Sequence, residues 1–369
     1  MKNVIIFVDE LDFGGISRIA INLNSILKDK FNTKILCNKN NYSSINVDML
    51  NEQDNFIKKA RAITKYINSN KVDLIITNAW KENIIVYLGM LMSKKKLKIV
   101  QILHYDYSQL KLNGSNVIKN MVKKMLIKFS FNVSNRCISV SLGACNELNE
   151  KIKLKRNFLN LYNPVIDRNK EPFNKAEIKN LVQKKNYSIA CIGWIRAAKG
   201  QKTILEAMEL TKNEKFSLTL HIIGGVKEEE YKLELMELIK DYSLENNVKF
   251  HGEVVNPYNI LNSMDALVVS SKCEALPTVI IEAISLGIPV ISSNCKHGPY
   301  EILEGGKVGM LYETGNAKQL TSCMIKLFTD EGLYCKYSTR GIEKSIDFEY
   351  DKIREIYSRF LNEVLNEEY

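Results

Sequence analysis

Short β-branched runs alternate with amphipathic helical patterns along almost the whole chain, and several of the runs end in glycine. Val4 to Val8 is followed by Gly14-Gly15 and then by apolar residues at helical spacing (Ile16, Ile19, Ala20, Leu23, Ile26, Leu27). Further strand-like runs lie at 34–37, 74–77, 99–103 and 137–140, with helical patterns between them. Strands separated by helices read as βαβ units of a parallel sheet. The rhythm restarts after Tyr162-Asn163-Pro164. Strands at 188–192, 218–223, 248–250, 266–269 and 290–292 alternate with helices at 203–210 and 228–243. A chain of 369 residues is long enough for two cores. The expected architecture is α/β, with one doubly wound domain over 1–165 and a second over 166–349. The last segment, 350–369, is chiefly one amphipathic helix, and packing back on the first domain is one option for it.

The most informative stretch is EALPTVIIEAISLGIPV, Glu274 to Val290. The strand 266–269 predicts a turn over 270–276. Pro277 suits the first helical position, where a missing N–H costs nothing, and Gly287 ends the helix. Its first amides then face the carboxyl edge of the sheet, where open α/β sheets bind ligands. Unpaired N–H groups and the helix dipole favour an anion there, phosphate above all. Glu274 precedes the helix and Glu282 lies inside it, roughly 10 Å apart at 1.5 Å rise per residue plus a loop offset. That is too far for a shared proton. It suits two groups gripping opposite ends of one ligand, as in the sugar, diphosphate and ribose of a nucleoside diphosphate sugar. From spacing alone, a solvated loop acid and a satisfied helix acid remain the plainer alternative.

Charge is uneven. Residues 1–168 hold 27 Lys/Arg against 13 Asp/Glu, and the rest hold 25 against 29. A net +14 beside a net −4 points the first domain toward an anionic partner. Lys94–Lys98 is one basic run. Val117–Phe129 is a helix with apolar positions 118, 121, 122, 125, 126 and 129 and lysines between them. Such a helix fits an anionic bilayer or, equally, a core with a solvated lysine face. The longest apolar run, Ile84 to Met92, is too short to span a bilayer, which takes ~18 or more residues. The N-terminus gains Asp9, Glu10 and Asp12 too early for a signal peptide. Eight scattered cysteines without a CxxC pair argue for free thiols in a reducing cytoplasm.

Several segments, in order, resemble one family. EALPTVIIEA with GIPVISSN is similar to the E-x7-E segment of the retaining GT-B glycosyltransferases of group 1 (family GT4). FGGISR (13–18) resembles the family's glycine-rich loop, and LHYD (103–106) its histidine loop. YNPVID (162–167) resembles the interdomain segment, and IGWIRAAKG (192–200) the strand-loop with a basic pair. VKFHGEV (248–254) resembles the segment that meets the nucleobase, and HGPYEIL (297–303) matches a common ending of the nucleotide-sugar domain. The resemblance implies two Rossmann-like domains facing each other across a cleft, with a hinge in the linker.

By that resemblance His104, Glu274, Arg196 and Lys199 form the catalytic group. Glu274 would hold hydroxyls of the transferred sugar, and Lys199 the phosphates. Trp194 stands where the family usually has arginine, and Arg196 is the substitute. Ala275 stands where the family more often has glycine, which implies strain at a positive φ or a different loop path. Gly14, Gly15, His251, Gly252, Glu253, Leu276, Pro277, Thr278 and Glu282 would line the donor site, with Glu282 on the ribose. Arg18 and Asp106 fall on the acceptor side. His221, in an apolar strand, reads as a core residue. No DxD or HExxH motif occurs, so no metal and no other cofactor is expected; cationic side chains would stabilise the departing diphosphate. The implied reaction moves a hexose or N-acetylhexosamine, from a UDP-sugar most often, to a glycan or lipid-linked acceptor in bacterial surface polysaccharide synthesis. The implied location is cytoplasmic, peripheral on the inner membrane face. A nucleotide-sugar epimerase of related fold and a non-catalytic basic protein binding nucleic acid or membrane are the alternatives. Against nucleic acid, aromatics are not interleaved with the basic runs.

Overall fold

Parallel strands buried on both faces need continuous apolar runs rather than alternation, and Val4–Val8, Leu74–Ile76 and Ala266–Val269 supply them. The computed structural model describes residues 1–12, 14–42, 45–50, 55–105, 107, 117–169, 184–254 and 256–367. Phe13 and Asp106, named above, lie outside the described residues. The chain divides into two units: Met1–Val165 with Tyr350–Tyr369, and Ile166–Glu349.

The first unit runs β1 (Asn3–Leu11), α1 (Gly15–Leu27), β2 (Asn32–Asn40), β3 (Asp48–Met49), α2 (Phe56–Ser69), β4 (Leu74–Thr77), α3 (Trp80–Ser93), β5 (Lys98–Leu103), α4 (Val117–Asn132), β6 (Arg136–Ser139), α5 (Leu142–Lys151) and β7 (Leu159–Asn160). Its sheet has the order β3-β2-β1-β4-β5-β6-β7, all neighbours parallel. One core packs Ile5, Phe7 and Ile75 beneath Ala60, Ile63, Ile85 and Val86 of α2 and α3.

The second unit runs β8 (Asn186–Ile192), α6 (Gln201–Leu210), β9 (Ser217–Ile223), α7 (Glu229–Asp241), β10 (Val248–Gly252), α8 (Tyr258–Leu261), β11 (Ala266–Val269), α9 (Thr278–Ser285), β12 (Val290–Ser293), α10 (Gly298–Ile302), β13 (Met310–Tyr312), α11 (Ala317–Thr329) and α12 (Glu331–Ser345). Its parallel order is β10-β9-β8-β11-β12-β13. In both sheets the winding reverses direction beside the first strand, between β1 and β4 and between β8 and β11. A doubly wound sheet leaves a crevice at that switch point, at the carboxyl ends of the strands.

The last helix, α13 (Tyr350–Asn366), belongs to the first unit. It buries Ile353, Tyr357, Phe360, Leu361 and Val364, and Arg354 Nε donates to the Ile26 carbonyl at 3.1 Å. Its end is held by charge. Lys98, only 2 % exposed, donates to the Glu367 carbonyl at 2.8 Å. Arg136 and Arg156 pair with the Glu367 carboxylate. Cations at a helix C-terminus satisfy its orphan carbonyls and oppose its dipole.

The basic patches need two corrections. In Lys94–Lys98, Lys95 donates to the carbonyls of Ile67 and Asn68 at the end of α2, and Lys98 is buried as described. The run is therefore largely structural. In α4 the apolar positions do not face the core. Ile118, Met121, Val122, Met125, Leu126 and Phe129 are all exposed, from 41 % to 73 %. The helix docks instead through Ile127, Ser130 and Phe131.

Candidate active site

In the second unit the glycines after the strands let three loops touch at the switch point. Gly193, after β8, has φ +144, and Gly224, after β9, has φ +147. A Cβ on Gly224 would lie 2.2 Å from the Gly193 carbonyl oxygen. Gly224 N–H in turn donates to the Gly252 carbonyl at the end of β10. Beyond β8 the chain passes an extended Arg196, makes one turn of 3-10 helix (Ala197–Lys199), and turns at Gly200 with φ +65. A Cβ there would lie 2.3 Å from the Ser270 carbonyl oxygen, in the loop after β11. Ser270 Oγ donates to the Lys199 carbonyl at 2.8 Å, and Lys272 N–H to that of Ala198 at 2.9 Å.

This stitching delivers Lys199 to Glu274. Lys199 Nζ stands 2.5 Å from Glu274 Oε1, which also accepts from Ser271 Oγ at 2.7 Å. Glu274 is further fixed by a backbone bridge to His297. A Cβ on Gly298 would sit 2.5 Å from the Ala275 carbonyl oxygen and 2.6 Å from Pro277 Cδ. Ala275 itself has no positive φ; His297 carries it instead, at +73.

Pro277 caps α9 rather than opening it. It is the N-cap, with φ −72 and ψ 101, and the helix starts at Thr278, one residue later than the sequence suggests. No side chain caps that end. Glu282 sits inside the helix at 1 % exposure. At the C-terminus Gly287, with φ +70, donates to the Ile284 carbonyl, and Ile288 N–H to that of Ala283. That pattern is a Schellman stop.

Two features of this unit escape the sequence reading. Lys227, in the loop after β9, lies 4.0 Å from the centroid of the Trp194 ring, within cation–π range. Gly225 presses on the same ring, where a Cβ would approach to 2.6 Å. Nε of Arg196 is buried without a hydrogen-bond partner among the described residues. His221 is not a core residue. It is partly exposed, its Nδ1 lies 2.9 Å from His251 Nε2, and the rings stack at 5.1 Å. Burial first, then His251 and Lys249, lower its pKa.

In the first unit the switch point carries Gly14-Gly15. Asp12 Oδ1 accepts from Gly14 N–H at 2.9 Å and from Ser17 Oγ at 2.8 Å. No heavy atom lies within 4 Å of a Cβ built on Gly15, so that side of the turn is open. Arg18 follows, partly buried. Next to the turn, the ends of β1, β4 and β5 meet in a polar network that joins His104 to Asn78 and Glu82, two residues that sequence alone did not single out. Glu82, 7 % exposed, accepts from Asp9 N–H at 2.9 Å and from Asn78 N–H at 2.8 Å. Burial raises its pKa to about 7, and the Asp9 carboxylate adds to the rise, while the amide bonds oppose it. Asp9 is held in turn by Lys59 at 2.7 Å. Asn78 Oδ1 lies 2.9 Å from His104 Nε2. Burial lowers the His104 pKa to about 4.

Among the described residues no helix is long and apolar enough to cross a membrane, and no three His, Cys, Asp or Glu side chains gather as metal ligands.

Two Rossmann-like units, each a doubly wound parallel sheet, make the GT-B fold, and the matches that follow make the chain a glycosyltransferase. Residues 173–344 match the model of the glycosyl transferases group 1 family, and the chain carries a domain of that family. An uncharacterized glycosyltransferase of Haemophilus influenzae is 22 % identical over 375 residues, which cover 98 % of this chain and all of that protein. The N-acetyl-alpha-D-glucosaminyl L-malate synthase of Bacillus anthracis is 26 % identical over 293 residues, 77 % of this chain and 73 % of that one. Among solved structures, Anabaena HepE in complex with UDP and glucose superposes with a TM-score of 0.84 at 18 % identity, covering 98 % of this chain and 100 % of that one. Sucrose-phosphate synthase from Thermosynechococcus elongatus gives 0.76 at 15 % identity and covers 99 % of both.

Proposed function

We propose that this glycosyltransferase moves a hexose or N-acetylhexosamine from a UDP-sugar to a hydroxyl of a glycan or lipid-linked glycan, with retention of anomeric configuration, in bacterial surface polysaccharide synthesis. The observation that carries the donor site is the Lys199–Glu274 contact at the β8/β11 switch point, just ahead of an α9 N-terminus without a side-chain cap. An ammonium and a carboxylate that satisfy each other can be parted by a ligand that offers a phosphate to one and hydroxyls to the other. Lys199 takes the diphosphate with Arg196, whose buried Nε is left for a ligand, and with the Thr278 amide beside Leu276 and Pro277. Glu274 takes the sugar hydroxyls and Glu282 the ribose. His251, Gly252 and Glu253 border the base. Gly14, Gly15, His104, Arg18 and Asp106 serve the sugar and acceptor side.

Departure of the diphosphate is the costly event. Fixed donors aimed at its growing charge contribute about 3–4 kcal/mol each. We assign that task to the cationic side chains, with no metal: the acceptor hydroxyl attacks the anomeric carbon on the face that the diphosphate leaves, the bond from that carbon to the diphosphate oxygen breaks, and the hydroxyl proton passes to the departing diphosphate. HepE was solved with UDP and glucose. Relatives include capsular polysaccharide biosynthesis glycosyltransferases of Staphylococcus aureus. Both support the UDP-sugar and polysaccharide reading. The exposed apolar face of α4, with Lys119, Lys123, Lys124 and Lys128 around it, supports peripheral binding to the anionic inner face of the cytoplasmic membrane.

The test is thermal shift with UDP, GDP, ADP and CMP, with EDTA and then with magnesium. UDP is expected to stabilise the protein in EDTA, by about 2.7 kcal/mol at a hundredfold excess over Kd. Glu282→Ala is expected to abolish the shift. A protein that no nucleotide stabilises does not have this site. Epimerised sugar released without an acceptor would favour the epimerase instead.

A further inference from the structure

His104 Nε2 has one partner, Asn78 Oδ1, at 2.9 Å. Which of the two nitrogens carries the ring proton follows from what holds Asn78. Its side chain is fully buried, and its Nδ2 donates to the Phe7 carbonyl of β1 at 3.1 Å. A flipped amide would set Oδ1 against that carbonyl, two acceptors face to face, so the orientation is fixed by the bonds it makes. Oδ1 can only accept. Nε2 must therefore carry the proton, and Nδ1 keeps a lone pair. Nδ1 has no hydrogen-bond partner among the described residues.

The backbone of Asn78 is pinned as well. Glu82 accepts from Asn78 N–H with one oxygen and from Asp9 N–H with the other. It thereby ties the ends of β4 and β1, the two strands that flank the switch point.

We propose that Asn78, braced by Glu82, is a positioning residue that locks His104 in the Nε2–H tautomer, so that Nδ1 accepts a hydrogen bond from a substrate hydroxyl. The hydroxyl rests on the glycosyl-transfer reading above; the tautomer does not. A ring that burial holds neutral down to about pH 4 acts here as an acceptor and not as a cation. No proton is transferred.

The experiment is long-range proton–nitrogen NMR on protein labelled with nitrogen-15 histidine. His104 is the ring whose signals vanish in His104→Gln. The expected spectrum shows Nε2 protonated and Nδ1 bare. Asn78→Leu should mix the tautomers and lower kcat/KM about tenfold, the worth of one buried hydrogen bond, with the UDP-induced thermal shift unchanged. Asn78→Asp, its buried carboxyl protonated, keeps a donor for the Phe7 carbonyl and an acceptor for Nε2 and should keep the Nε2–H ring, whereas a merely structural role would make both variants fail alike. A wild-type ring protonated at Nδ1 overturns the proposal, and that measurement does not depend on either Asn78 variant folding. An unchanged tautomer and rate in Asn78→Leu overturns it too. An Nε2–H ring in a protein that turns over no nucleotide sugar counts against glycosyl transfer and leaves the tautomer lock standing.

Discussion

Gly200→Ala tests whether the loops after β8 and β11 are as close as described. Two separate costs are expected. At φ +65 an alanine pays the left-handed penalty of about 1–2 kcal/mol. Its Cβ would also lie 2.3 Å from the Ser270 carbonyl oxygen, so the loops must part by roughly an ångström, and overpacking of that kind costs about 1–3 kcal/mol. Gly315→Ala is the control, because Gly315, beyond β13 and outside the donor site, also has a positive φ, +81, and no heavy atom within 4 Å of a built Cβ. For a unit the size of Ile166–Glu349 each kcal/mol moves Tm by about 2–4 °C. Gly315→Ala should therefore lower Tm by about 2–8 °C, and Gly200→Ala by at least about 2 °C more. The second cost reaches the site, since Ser270 Oγ holds the Lys199 carbonyl and Lys199 reaches Glu274 at 2.5 Å. Calorimetry with and without UDP reads both effects. If the two variants melt alike and bind UDP alike, the close approach does not exist and the stitching argument fails.

Lys199→Met should lower kcat by about a hundred- to a thousandfold, as expected for removing one donor to developing charge; steady-state kinetics showing an undiminished rate would remove Lys199 from the site. Stability against pH should expose two opposed groups. Native His104 stays neutral down to about 4 while the unfolded ring titrates at 6.5, so its contribution grows as pH rises through that window. Native Glu82 holds its proton up to about 7 against 4.5 unfolded, so its contribution is lost as pH rises. The two cancel over the shared window; in denaturant titrations Glu82→Gln should leave a rising profile and His104→Gln a falling one, and parallel profiles would contradict both. Met121→Glu combined with Met125→Glu should abolish co-sedimentation with anionic vesicles at low salt without moving Tm, because both side chains are already in water; unchanged binding would place the membrane contact elsewhere.

Local pattern made the β1, β4 and β11 strands legible, because buried parallel strands are continuous apolar runs, and the glycines after β1, β8 and β9 marked turns. The α4 helix was legible but its docking was not. Its apolar stripe fits a core or a bilayer equally well, and only tertiary placement shows Met121 and Met125 in water. Lys98 read as one charge in a basic run because its partner, Glu367, lies 269 residues away. Glu274 and Lys199 carried enough motif context to be picked out. Asn78 and Glu82 did not: one is an ordinary amide after a strand, the other an acid in the first turn of a helix. Their meaning arises from Phe7 and Asp9, more than seventy residues earlier.

The placement of α13 sets an order of events at the ribosome. Residues Ile166–Glu349 emerge as one uninterrupted stretch and can fold as soon as they are made. The first unit cannot finish then, because the helix that covers Ile26 and receives Lys98 and Arg136 is still unsynthesised. Until α13 arrives, that half waits with a lysine destined for burial and an uncovered face on α1. Termination within α13 would therefore damage the part of the protein made first.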